Sequence, residues 1–160
     1  MIIQSPTQLF MVEPAAFYTN IQTMDSNHYQ SDDSNQSRAV ILENAKKEFH
    51  KLKNEIEKNG IEVISCIGDE NCPDHIFPNW FTTFSNKTMQ IFSMKAKNRR
   101  TEKTPEMISL LKESYELTCD YSDFENKNIF LESTSSMVFD RVNKVAYIGL
   151  SPRTDKELAK

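Results

Sequence analysis

Glycine is nearly missing from this chain. It occurs three times in 160 residues, where average usage of roughly 7% would supply about eleven. Tight turns therefore fall to Asn, Asp and Ser, which reach the same backbone conformations less readily. No Gly-rich phosphate loop and no Gly-x-Ser-x-Gly elbow can be traced. Long apolar runs are missing too, since none approaches the roughly 20 residues of a spanning helix. The N-terminus lacks a basic start and meets Pro14 too soon for a signal peptide. Nor is positive charge in excess. With 19 Lys and Arg against 23 Asp and Glu, the net charge is -4, which excludes a basic field for nucleic acid or a polybasic patch for a membrane. Three cysteines (Cys66, Cys72 and Cys119) cannot all pair with one another. They fit free thiols in a reducing compartment, and so a cytoplasmic location. The Cys66, Cys72, His75 spacing lacks a fourth ligand and is wider than structural zinc sites use, so no metal or other cofactor is expected.

What is present describes a soluble α/β domain. The chain is 38% hydrophobic and 26% charged, and its length suits one domain with a proper core better than two. Residues 9–12 read as a buried first strand stopped by Pro14. Residues 17–37 read as a long loop. Phe17, Tyr18, Ile21, Met24 and Tyr29 are expected to anchor its first half, while 31–37 lacks anchors. Residues 38–59 form the clearest helix: Ala39, Leu42, Ala45, Phe49, Leu52 and Ile56 make one apolar stripe, Ser37 is placed to cap it and Gly60 to end it. A strand follows at 61–64. Two apolar runs, 80–84 and 89–94, with Ser-Asn-Lys between them, predict a hairpin. Thr104-Pro105 opens a second helix. Strands are expected at 117–119, 129–132, 136–140 and 145–150, and 151–155 begins like a helix. Two ββαβ-like passages suggest an internal repeat, and a chain that stops on a helix start suggests an unfinished fold.

The stretch 73–103 organises the search for chemistry. It carries an Asn-Trp pair at one end and Arg99-Arg100 at the other, a way to hold a small polar ligand; an ordinary surface hairpin with solvated arginines is the alternative. Glu132 ends a short apolar run before Ser-Thr-Ser-Ser. It faces either a cleft, where burial would favour general-base duty, or solvent. Arg153 follows Ser-Pro at the expected helix entry, where a guanidinium and free backbone N–H groups could grip a carboxylate. His50 falls on a solvated helix face. No cysteine sits beside a base that would activate it.

Five fragments in order carry a resemblance: FMVEPAAFYTNIQTMDSNHYQ (10–30), PDHIFPNW (73–80), NRRTEK (98–103), FLESTSS (130–136) and GLSPRTD (149–155). Together they resemble the amidinotransferase-like citrulline-utilisation hydrolases of the pentein group, relatives of arginine deiminase and dimethylarginine dimethylaminohydrolase. The resemblance implies a partial, truncated α/β propeller built from ββαβ blades, with residues 1–160 as about its N-terminal half. It implies hydrolysis of C–N bonds in ureido or guanidino compounds of the citrulline or arginine type. Glu132 then matches the substrate-orienting glutamate, Asn79 the place where arginine deiminases have an aspartate, and Arg153 with Arg99 or Arg100 the carboxylate clamp. This sequence departs from the family pattern in having one Asn fewer before Trp80, Thr82-Thr83-Phe84 in place of Ser-Thr-His, and Ser133 and Ser135 where the family has glycines. The family's catalytic His and Cys lie downstream of the Ser-x-Arg-Thr segment, so this chain is expected to be inactive alone. The alternative is a non-enzymatic remnant that binds a ligand or a protein partner. Open blade faces would favour self-association.

Overall fold

The computed structural model describes residues 5–27, 30 and 35–160, which form two compact units, 5–78 and 79–160. The expected anchor Tyr29 and residues 31–34 lie outside the described residues.

The first unit is a parallel crossover. Strand β1 (Gln8–Glu13) runs beside β2 (Glu62–Ile67), with Val12 opposite Cys66, and helix α1 (Arg38–Lys58) connects them. The helix starts where the sequence says it should: the Ser37 side chain accepts from the Val40 N–H, satisfying one of the first-turn donors. Gly60 ends it at φ +80, a left-handed position that suits a residue without Cβ. Gly68 is needed for a different reason. A Cβ there would come within 3.2 Å of the Glu13 carbonyl, Val12 Cγ1 and His75 Nδ1.

The long loop is held differently from expectation. Ile21 is 81% exposed, so the apolar anchor proposed there does not anchor. Buried polar residues do the work instead. Asn20 Nδ2 and Thr23 Oγ1 donate to Asp74 Oδ2 at 2.7 and 3.1 Å, and Thr23 Oγ1 also reaches Gln30 Oε1 at 3.0 Å. Two of the resembling fragments, 10–30 and 73–80, are thereby joined within one unit.

The second unit repeats the crossover with an extra strand. The predicted hairpin is β3 (Phe81–Thr83) antiparallel to β4 (Thr88–Ile91), and β4 lies parallel to β5 (Glu116–Asp120). Between β4 and β5 come a short helix α2 (Lys97–Arg100) and helix α3 (Pro105–Lys112), the latter capped by Thr104 on the Met107 N–H. After a 3-10 stretch (Ser122–Lys127), helix α4 (Ser133–Ser136) leads into the antiparallel pair β6 (Met137–Asp140) and β7 (Val145–Ile148). Phe92, Leu131 and Met137 form a core here, with Tyr121, Phe139 and Ile148 packed against it.

Three expectations need correction. Residues 129–132 are not a strand: Leu131 makes one isolated bridge, to Thr154. Residues 151–155 are not a helix entry either. Ser151 and Thr154 close a tight turn, and the chain bends into a single turn one step later, where Asp155 Oδ1 accepts from the Glu157 and Leu158 N–H groups at 2.9 Å. Finally, among the described residues the left-handed positions outside glycine fall on Lys87, Asn128 and Lys144, and of these only Asn128 is a residue type that tolerates them well. The described strands make small open sheets of two, three and two strands, and none of these closes.

Candidate functional site

Glu132 is the centre of the second unit's polar architecture. Its backbone is pinned first: Leu131 N–H donates to Ser93 Oγ at 2.9 Å, and Glu132 N–H to the Arg153 carbonyl at 3.2 Å. The carboxylate is 1% exposed, so it is not the solvent-facing glutamate of the plainer alternative. Burial of a carboxylate demands partners. Oε1 accepts the Lys95 N–H at 3.0 Å, while Oε2 accepts Ser135 Oγ at 3.0 Å and lies 3.5 Å from Arg153 Nη1. These are charge-assisted contacts, the stronger kind.

Helix α4 connects this carboxylate to the hairpin. Ser133 Oγ meets Thr82 Oγ1 out of solvent, and Thr134 Oγ1 donates to Asn79 Oδ1 at 2.7 Å. Ser136 Oγ donates to the Arg153 carbonyl and accepts from Thr154 Oγ1. Both serines that replace family glycines therefore carry a hydroxyl contact. Neither needs a left-handed backbone, because the positive-φ positions lie elsewhere.

The paired arginines separate. Arg99 is 3% exposed and grips Glu102 through two parallel bonds, Nε to Oε1 at 2.8 Å and Nη2 to Oε2 at 3.1 Å. Its fork is turned to a neighbouring glutamate inside the protein. Arg100 is half-buried over the Phe130 ring and donates Nε to the Met94 carbonyl at 3.0 Å and Nη2 to the Lys95 carbonyl at 3.1 Å. Arg153 keeps a partly exposed side chain beside Glu132. It does not sit at a helix N-terminus, so the backbone donors expected beside it are not there. Asn79, Glu132 and Arg153 thus join one network through α4, which also draws in Arg100 by way of Lys95. Sequence reasoning missed the parts played by Lys95, Ser135 and Thr82, which depend on backbone groups and on contacts made across the fold.

Among the described residues, the groups that contact Glu132 include no thiol or imidazole. Burial pushes the Cys66 thiol up, the opposite of nucleophile activation. Cys119 lies against Tyr121, whose phenol is pushed up by that hydrogen bond and then by burial. A cavity of about 350 Å³ exists in the first unit, but Phe10, Val12, Phe17, Phe49 and Phe77 line it with Glu48 as the charged member. Among the described residues no helix is long and apolar enough to cross a membrane.

Comparison with known proteins now bears on this geometry. Among solved structures, the chain is similar to apo ArgZ, an arginine dihydrolase from the ornithine-ammonia cycle in cyanobacteria, with TM-score 0.65 and 17% identity, covering 94% of this chain and 21% of ArgZ. The N-terminal domain of the ArgZ C264S mutant bound to substrate gives TM-score 0.67 and 17% identity, covering 94% of this chain and 51% of that domain. Unliganded AgrE gives 0.65 and 16%, covering 94% of this chain and 20% of AgrE. The chain therefore spans about half of the solved ArgZ domain. No curated protein sequence matches it. The family model for eukaryotic N,N dimethylarginine dimethylhydrolase matches residues 13–160, nearly the whole chain. The chain belongs to that family, within the pentein group.

Proposed function

We propose that this chain supplies the ligand-orienting half of a C–N hydrolase site for ureido or guanidino compounds of the citrulline or arginine type. The carrying observation is the buried Glu132 carboxylate, held by Lys95 N–H, Ser135 and Arg153 and linked through α4 to Asn79. Glu132 would accept from the terminal N–H groups of the planar ligand. Asn79 has its oxygen turned to Thr134, which leaves its amide N–H groups to donate to a ureido oxygen. Arg153 would leave Glu132 in part to pair with a ligand carboxylate. Arg99 and Arg100, already engaged by Glu102 and by main-chain carbonyls, are assigned to the frame of the site. The two parallel crossovers would be blades of an α/β propeller. The three cysteines, which form no disulfide with one another, fit a cytoplasmic setting.

The missing chemistry sets the limit of the assignment. A nucleophile and a general acid/base must stand within hydrogen-bond reach of the reacting group, and among the described residues none of the groups contacting Glu132 is a Cys or His. The 160 residues are therefore assigned binding without turnover. Calorimetric titration of the purified chain with L-citrulline and L-arginine, together with a colorimetric ammonia assay, tests both halves. Binding weakened about tenfold or more by Glu132→Gln, and no ammonia, is expected. Equal binding by Glu132→Gln in a folded variant, or turnover that Glu132→Gln abolishes, would overturn the assignment.

A further inference from the structure

We infer that Arg100 is a positioning residue for Glu132, acting across a single peptide plane. The Met94 carbonyl and the Lys95 N–H belong to the same planar amide, whose two polar groups point in opposite directions. Arg100 Nε donates to that carbonyl at 3.0 Å, and Glu132 Oε1 accepts from that N–H at 3.0 Å. A guanidinium on one edge and a carboxylate on the other therefore fix the plane's rotation between them. The adjoining groups are held as well: Arg100 Nη2 takes the Lys95 carbonyl at 3.1 Å, and Glu125 Oε1 takes the Met94 N–H at 2.8 Å. Glu125 is itself paired with Lys103, and its other oxygen lies 4.0 Å from Arg100 Nε. A fork that commonly matches the two oxygens of a carboxylate here spans two successive carbonyls. A cation on the carbonyl also polarises the amide, which strengthens the N–H as a donor to Glu132. Arg100 thus sets where Oε1 sits and supports its charge without touching a ligand.

The inference rests on the proposed function only in making Glu132 the ligand-facing carboxylate. Its test reads the Lys95 amide in ¹H–¹⁵N spectra and by hydrogen exchange in the full chain. Arg100→Gln should move the Lys95 amide resonance toward weaker hydrogen bonding and reduce its exchange protection about tenfold, the loss of one charge-assisted bond. Glu132→Gln should move the same resonance the same way, and the double variant should add little to either single change. Arg100→Lys, which retains charge but loses the fork, should fall between and serves as the conservative variant if Arg100→Gln does not fold. A Lys95 amide unmoved in either folded Arg100 variant, or strictly additive effects in the double variant, would overturn the inference. A merely structural role would loosen the Met94 and Lys95 amides alike and would not depend on residue 132, which also counts against it. If L-citrulline binding survives Glu132→Gln while the Lys95 amide responds as expected, the proposed function falls and the Arg100 coupling stands.

Discussion

Arg99 and Arg100 are neighbours in sequence with opposite assignments, and the residue three positions on decides between them. Arg99 finds Glu102 across one helical turn, whereas Arg100 would meet Lys103 and must look elsewhere. That much can be read from spacing. What spacing cannot give is that the Arg99–Glu102 pair is sealed from water, 4% and 0% exposed at the side chains. Removing one partner of a buried pair leaves a desolvated charge, which costs about 3–5 kcal/mol, while replacing both with apolar groups of similar volume is often neutral. Glu102→Leu should accordingly lower urea stability by an amount in that range. The double change Arg99→Met, Glu102→Leu should recover most of it. A single variant within about 1 kcal/mol of the parent would show that the pair contributes little net energy.

Legibility at the scale of elements follows the range of the interactions. Helices α1 and α3 are announced by Ser37 and Thr104 because a cap and its N–H partner lie three residues apart. The β3–β4 and β6–β7 hairpins show through short apolar runs around short polar turns. The segments 129–136 and 151–155 escape because their backbone groups bond across the fold, Leu131 to Ser93 and Asp155 to the Phe130 carbonyl. The site had the same fate. Glu132, Arg153 and the Asn79–Trp80 pair are candidates on local grounds and take their roles from the resemblance, while Lys95 contributes an amide that its side chain does not advertise. The β6–β7 turn provides a pH test of a local element. The Asn143 side chain and N–H, at 2.7 and 2.9 Å, hold the Asp140 carboxyl below the usual aspartate value. A depressed carboxylate stabilises the fold above its unfolded pKa of about 3.9 and loses that contribution as pH falls through the folded value. The Tm gap between the parent and Asp140→Asn should stay constant above about pH 5 and close below about pH 4. A gap independent of pH across that window would mean the carboxylate charge is irrelevant to the turn.

At the scale of the molecule, one surface does not match the polar composition. Strands β6 and β7 alternate faces: Met137, Phe139 and Ile148 turn toward the core of their unit, while Val138 and Tyr147, paired directly across the ladder, are 70% and 63% exposed. Leu150 continues the apolar run at 67% exposure. Contiguous apolar surface beside a two-stranded ladder favours association, and the net charge of -4 offers little repulsion to oppose it. Light scattering and sedimentation velocity over a concentration series should therefore show mass rising with concentration. Val138→Thr with Tyr147→Thr should suppress that rise while changing stability by only about 0.5 kcal/mol per site, as expected for exposed positions. Threonine keeps the β-branch of Val138 and puts a β-branched residue in place of the aromatic Tyr147, both types that strands favour, so ladder propensity is retained and the loss can be ascribed to apolar area. A parent chain that stays monomeric at every concentration would assign this face to solvent, and one whose association ignores both substitutions would move the contact elsewhere.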